Sequence, residues 1–254
     1  MSFTSSFFDN WLSFSSSFNS GSWFILPLHY PVFLTSATLS LFLIPESLLL
    51  NYAPAYFLRS QRVLVPLCGK DNALRWFRDH AAHVIGVELA QEAIKQFFQE
   101  QNLPYQKTTD DCYEAERITI FNRNLFDLTP REVGHIDFVY DRAALVALPI
   151  NLRQQYRQKI DELMSVGSKC LLITLEFQPY LGNTPPFSIT PEEVQSYYGD
   201  RYIIDHIEQP KLPEHRMVEK FNLDFLIEHG FFLTKIAARK RGSFLDTFKF
   251  ALTP

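Results

Sequence analysis

From Arg62 onward, short apolar runs rich in β-branched residues alternate with amphipathic stretches of helical period. This alternation limits the possible folds more than any other feature of the chain. Residues 62–69, RVLVPLCG, form an apolar run stopped by proline and glycine, the mark of a buried strand entering a loop. Residues 71–81 begin with Asp71 at an N-cap position and place Leu74, Phe77 and Ala81 on one helical face. A second strand is predicted over 83–89, and a helix over 90–102 with Ala93, Ile94, Phe97 and Phe98 inward. Residues 118–128 read as a third strand with its exit loop, and 135–148 as a fourth strand running into a short helix. A helix over 151–166 and a continuously apolar fifth strand over 169–177 follow. After a loop at 180–189, Thr190-Pro191 opens a helix with Glu192 and Glu193 in its first turn. Residues 201–209 and 231–240 read as two more strands, and 218–230 as a partly helical stretch stopping at Gly230. This order predicts an α/β fold, a mainly parallel sheet with helices on both faces and an antiparallel edge.

The 254 residues suffice for one such domain. A net charge of −4 excludes a broad basic footprint, so nucleic acid is not an expected partner. Cys68, Cys112 and Cys170 are too few and too scattered for a disulfide framework or a zinc cluster, so no metal is expected. They are expected as buried fillers in a reducing compartment. The first quarter differs in character: no Lys or Arg precedes Arg59, and Asp9 and Glu46 are its only acids. Residues 23–45 carry no charge and are long enough to span a bilayer. Pro27, Pro31 and Pro45 interrupt them, and no basic residue precedes them. Three readings of 1–45 stay open: a membrane anchor, a disordered Ser/Phe-rich extension, or a frame-shifted or mis-started segment. The domain proper is then 46–254.

In an open parallel sheet a ligand binds beyond the carboxyl ends of the strands, at the topological switch point. After the first strand comes Pro66-Leu67-Cys68-Gly69-Lys70, with a single glycine, too few to bring the backbone against a pyrophosphate. Read alone, it is equally a tight turn into a helix. Glu88 ends the second strand, 88 − 69 = 19 positions past the loop glycine, the spacing of an acid that accepts from a ribose diol. The plainer alternative is an exposed strand-end carboxylate. A ribose acid without a phosphate cradle points away from NAD and toward S-adenosylmethionine. Asn124 and Leu125, after the third strand, suit an adenine edge and face. Asp141-Arg142, after the fourth, stands where an acceptor would enter; a capping salt bridge is the alternative.

The motifs VPLCGK (65–70), GVEL (86–89), AIKQFFQEQNLPY (93–105), DRAALVAL (141–148) and GNTPPF (182–187) together resemble thiopurine S-methyltransferase and its bacterial relatives over about 46–235. The resemblance implies a Rossmann-like class I methyltransferase using S-adenosylmethionine. It places Leu67, Glu88, Asn124, Leu125 and Arg142 at cofactor-contacting positions. The family often has Ser where Asn124 stands. Arg142 also falls near the acceptor pocket, Asp141 beside it is a candidate catalytic partner, and Arg216 matches a second pocket arginine after a one-residue shift. The implied reaction is methyl transfer to an aromatic or heterocyclic thiol by a monomeric, cytoplasmic enzyme without a membrane partner. Selenium, tellurium or small thiol acceptors are the alternative chemistry. An NAD-dependent oxidoreductase and a lid-deficient, non-catalytic relative are the alternative classes. The family's N-terminal lid, with a Trp-x-x-x-Trp-like pair and a Phe-His, has no match in 1–44: Trp11 and Trp23 are 12 apart. A basic cluster, Arg239-Lys240-Arg241, reads as a solvated end.

Overall fold

The structure, a computed structural model, describes residues 47–56, 59–182 and 184–237. A helix, α1 (Ser47–Tyr56), leads into β1 (Arg62–Pro66), α2 (Asn72–His80), β2 (His83–Val87) and α3 (Gln91–Glu100). A hairpin of β3 (Gln106–Thr109) and β4 (Cys112–Ala115) precedes β5 (Ile118–Phe121), a 3-10 turn (Leu125–Asp127) and α4 (Pro130–Val133). Then come β6 (Phe138–Asp141), α5 (Ala144–Ala147), α6 (Ile150–Leu163), β7 (Lys169–Gln178) and α7 (Pro191–Tyr198). The last elements are β8 (Tyr202–Glu208), α8 (Arg216–Phe221) and β9 (Phe225–Lys235).

The described strands form one sheet in the order β3-β4-β5-β2-β1-β6-β7-β9-β8. Its centre, β5-β2-β1-β6-β7, is parallel, and β9 pairs antiparallel with both β7 and β8. The chain leaves β1 toward β2 and β5, then returns to β6 on the other side of β1. This reversal fixes the switch point at the carboxyl ends of β1 and β6, where Leu67 and Arg142 begin their loops. Val63, Val65, Phe138, Tyr140 and Leu171 pack on one sheet face against Leu49 of α1, Leu74 and Phe77 of α2, and Phe97 of α3. Residues buried on that scale contribute roughly 1.5–3 kcal/mol each, so both helices that flank the switch point are anchored.

The parallel core and the antiparallel edge agree with the expectation from sequence. Two elements differ from it. The β3–β4 hairpin was not expected: β3 is QKTT, exposed throughout, and has no apolar alternation to announce it. The helical stretch expected over 218–230 ends at Phe221, where Asn222 caps it in the left-handed region at φ 49°. The remainder belongs to β9, which runs through Gly230 and pairs with β7 over ten positions. Gly230 is therefore not a helix stop. A Cβ there would meet Ile207 at 3.1 Å and Leu48 of α1 at 3.3 Å, so the residue admits the close approach of α1 to this edge.

Cys68, Cys112 and Cys170 are free and buried, as expected. Among the described residues, no helix is long and apolar enough to cross a membrane. The uncharged segment 1–45, with Trp11 and Trp23, and the basic cluster 239–241 lie outside the described residues.

Candidate active site

The loop after β1 is tied to the end of β2. Cys68 N–H donates to the Val87 carbonyl at 3.0 Å, and Gly69 N–H donates to Glu88 Oε2 at 2.9 Å. The other carboxylate oxygen of Glu88 accepts from Ala90 N–H at 2.7 Å, at the start of α3. Glu88 is only 4% exposed. Burial of a carboxylate is unfavourable without donors, and two backbone N–H groups meet it here. Leu67 is held at φ 48° and Gly69 at φ 53°. A left-handed conformation costs a non-glycine residue about 1–2 kcal/mol, and the Glu88 anchor holds the loop that contains it. Gly86 makes the packing possible: a Cβ would come within 2.8 Å of Cys68 Sγ.

Asp71 caps α2, its Oδ1 accepting from Ala73 N–H at 2.8 Å. In dinucleotide-binding folds, the N-terminus of this helix receives a phosphate. Here a carboxylate occupies that position, and Glu88 adds a second negative charge nearby. Such a site repels a pyrophosphate. It suits a phosphate-free nucleoside that carries positive charge, as the sulfonium of S-adenosylmethionine does. A carboxylate accepts at about four lone-pair sites, so the backbone donors to Glu88 leave its chemistry suited to a ribose diol.

The exit of β5 closes on the same place. Asn122 Nδ2 donates to the Glu88 carbonyl at 3.1 Å and to the Leu89 carbonyl at 2.8 Å. Asn124 Oδ1 accepts from Phe126 N–H at 3.1 Å and caps the 3-10 turn, which buries Leu125. Leu89 is 44% exposed, an apolar side chain immediately after Glu88. Sequence reasoning passed over Asn122 and Leu89. The signal for Leu89 was its place in GVEL, directly after Glu88.

At the exit of β6, Asp141 and Arg142 part company. Asp141 is buried, and its Oδ1 accepts from Ala144 and Leu145 N–H at 3.0 and 3.2 Å. Its Oδ2 accepts from the Tyr156 hydroxyl at 2.6 Å. Burial pushes the carboxyl up to about 6, against the lowering effect of these donors. Asp141 thus frames α5 and α6, and its hydrogen bonds point into the fold. Arg142, also buried, has its guanidinium Nη1 3.6 Å from Asp71 Oδ2. Glu228 of β9 is 2% exposed and is pushed up to about 7, burial raising it and Arg142 drawing it down. Sequence reasoning missed both Asp71 and Glu228 as neighbours of Arg142, because strand pairing across β7 brings Glu228 in. Arg216 stands exposed at the first residue of α8, whose Met217 packs with Leu175, Phe177 and Leu226. It therefore lies over the carboxyl end of β7, on the edge of the sheet where Arg142 begins its loop.

Several known proteins are similar to this chain. The thiopurine S-methyltransferase of Psychrobacter cryohalolentis is 37% identical over 157 residues, covering 58% of this chain and 71% of its own length. That of Pseudomonas syringae pv. tomato is 38% identical over 149 residues, 58% of this chain and 68% of its own. That of Shewanella loihica is 33% identical over 195 residues, 75% of this chain and 89% of its own. Among solved structures, the 1,6-didemethyltoxoflavin N1-methyltransferase of Burkholderia thailandensis superposes with a TM-score of 0.56 at 14% identity, covering 84% of this chain and 94% of its own. A SAM-dependent methyltransferase from Anabaena variabilis gives 0.52 at 15% identity, covering 75% and 84%. At such identities the structures establish the fold: a Rossmann-like, class I methyltransferase sheet. The model of the thiopurine S-methyltransferase family matches residues 45–235, from just before α1 to the last residue of β9. With that span covering the Glu88-anchored loop, the β6 exit and the antiparallel edge alike, the chain belongs to the thiopurine S-methyltransferase family.

Proposed function

We propose that this chain is an S-adenosylmethionine-dependent methyltransferase acting on the sulfur of aromatic or heterocyclic thiols. The observation that carries the reading is the acid-lined switch point, with Glu88 fixed by two backbone N–H groups and a buried Arg142 beside Asp71. When bound, S-adenosylmethionine supplies a methyl group activated by its sulfonium. Glu88 would hold the ribose hydroxyls, Leu125 and Asn124 the adenine, and the turn at Leu67 the remainder of the cofactor. Arg142 belongs to both sides of the site: it borders the cofactor and faces the acceptor. Its guanidinium favours a thiolate over a thiol, and an ordinary thiol with pKa about 8.5 needs only a modest shift to ionise near neutrality. No general base is then required, in keeping with the buried, fully engaged Asp141. Asp141 acts as a positioning residue through α5 and Tyr156, and Arg216 is the second arginine offered to the acceptor from α8.

The test is methyl transfer by the full chain to a panel of aryl thiols, aliphatic thiols, and selenium and tellurium oxyanions. Aryl thiols are expected to give the highest kcat/KM, and Arg142→Ala to lower it about tenfold or more. Turnover confined to metalloid acceptors would replace the thiol assignment. No turnover with any acceptor, in a chain that binds S-adenosylhomocysteine, would favour the non-catalytic reading.

A further inference from the structure

The exits of β2, β1 and β6 share one level. Pro66 of β1 is opposite Val87 of β2, and Leu64 of β1 is opposite Val139 of β6. Carried on past the strand ends, these registers set Glu88, Leu67 and Arg142 in a row across neighbouring strands. Strand spacing puts Glu88 and Arg142 about 10 Å apart, with Leu67 between them. On the cofactor reading, Glu88 is the ribose end of this row. At the other end a second charged group meets Arg142: Asp71 Oδ2 lies 3.6 Å from Arg142 Nη1.

The Asp71 carboxylate does more than the local structure asks of it. The Asp71 and Arg142 side chains are 12% and 7% exposed, and their approach is longer than a hydrogen bond. Removing two charges from water is costly, and a contact of this length recovers only part of the cost. Nor does the start of α2 require the charge. Asp71 Oδ1 accepts from Ala73 N–H at 2.8 Å, a bond that an asparagine makes equally well. The flanking residues turn elsewhere: Lys70 reaches Glu100 of α3 at 2.6 Å, and Asn72 accepts from Gln101 at 3.0 Å. Of these neighbours, Asp71 is the one that faces β6. An anion and a cation therefore stand side by side, at the opposite end of the row from Glu88.

We infer that Asp71 is a cofactor-binding residue: its carboxylate receives the α-ammonium of the amino-acid end of S-adenosylmethionine, and Arg142 beside it receives the α-carboxylate. The inference rests on S-adenosylmethionine as the cofactor. That end of the molecule is a zwitterion, joined to the ribose by a short flexible chain. Its two charges are carried on one carbon atom, and an aspartate and an arginine 3.6 Å apart present the complementary charges at matching separation. A ligand with only one of the two charges would be attracted by one partner and repelled by the other. A guanidinium carries five N–H donors, so Arg142 can hold a carboxylate along one edge and still face the acceptor with another. Asp71 lies just outside the VPLCGK motif, which ends at Lys70, so the family resemblance assigned it no role.

The probes are S-adenosylhomocysteine, its analogue without the α-amino group, and 5′-methylthioadenosine, which lacks the whole amino-acid end. None of them carries a sulfonium, so attraction of that charge to Asp71 does not enter. Each is titrated calorimetrically into the full chain, unaltered and with Asp71→Asn, which keeps the α2 cap. In the unaltered chain, loss of the amino group is expected to raise Kd about tenfold or more, as for a hydrogen bond to a charged group. Asp71→Asn is expected to raise the Kd of S-adenosylhomocysteine by a similar factor and to leave that of 5′-methylthioadenosine within about twofold. It is expected to bind the analogue without the amino group at least as tightly as the unaltered chain does, because Arg142 is then unopposed. Unchanged binding of S-adenosylhomocysteine by Asp71→Asn overturns the inference. Equal weakening of S-adenosylhomocysteine and 5′-methylthioadenosine overturns it too, and leaves the pair a structural contact. An unaltered chain that binds the analogue without the amino group as tightly as S-adenosylhomocysteine overturns it with no variant needed. An unaltered chain that binds none of the probes removes the cofactor reading, and the inference with it; the other outcomes leave that reading standing.

Discussion

Replacing Glu88 by alanine tests the anchor on which the whole site is built. The side chain accepts from Gly69 N–H at 2.9 Å and Ala90 N–H at 2.7 Å, and it is 4% exposed. Hydrogen bonds to a charged group contribute about 1.5–3 kcal/mol each. Their loss would orphan one buried and one half-buried donor and free the loop that holds Leu67 at φ 48°. Removing a buried charge offsets part of this, leaving a net destabilisation of about 2–4 kcal/mol. For a domain of this size, that lowers Tm by about 5–15 °C. Glu88→Gln retains one acceptor oxygen and turns an amide donor toward a backbone N–H, so about half the loss is expected. The assay is thermal unfolding without ligand, followed by calorimetric titration with S-adenosylhomocysteine. A Glu88→Ala chain melting within about 2 °C of the unaltered one would refute the anchor. A Glu88→Gln chain that melts lower yet binds S-adenosylhomocysteine undiminished would keep the anchor and remove the ribose role.

Gly86→Ala brings a Cβ to 2.8 Å from Cys68 Sγ and 3.2 Å from Ile120, and overpacking of this kind costs about 1–3 kcal/mol. Cys68→Ala in the same chain is expected to restore most of that loss; strictly additive effects on Tm would show that the two residues do not compete for space. Glu228→Gln is expected to raise stability, and only at higher pH. The folded-state pKa of Glu228, about 7, lies above the usual 4.5, so the folded chain binds the extra proton between these values and loses stability as pH rises through them. The full cost, at most about 3 kcal/mol, is present above pH 7 and absent below pH 4.5. The Tm advantage of Glu228→Gln should therefore open between pH 5 and pH 8, and a gap equal at both values would contradict the burial of an ionised carboxylate.

Much of this was legible in the sequence because the relevant signals are local. Asp71 before Asn72, the β-branched runs at 62–66 and 83–87, and the 19-residue spacing from Gly69 to Glu88 are decided within a few residues of each other. The parts that escaped are those set by distant strands. Residues 222–230 carry no alternation strong enough to outweigh a helical reading; β7 makes them a strand by pairing with them over ten positions. The QKTT strand exists because β4 and the turn before it pair with it. Asp141-Arg142 was read as a unit because the two are adjacent. A strand end turns successive side chains to opposite faces, so Asp141 went to the α6 side and Arg142 to the α2 side, each with a different partner.

That separation gives two adjacent residues different partners. Asp141 accepts three hydrogen bonds from α5 and Tyr156 and fixes the point at which the chain leaves β6. Arg142, one residue later, turns to the other face, where its guanidinium lies 3.6 Å from Asp71 at the start of α2. Asp71, with Glu88 nearby, disfavours a phosphate at the α2 N-terminus. On the function proposed above, it is the guanidinium of Arg142, and not the acids near it, that favours an anionic sulfur acceptor.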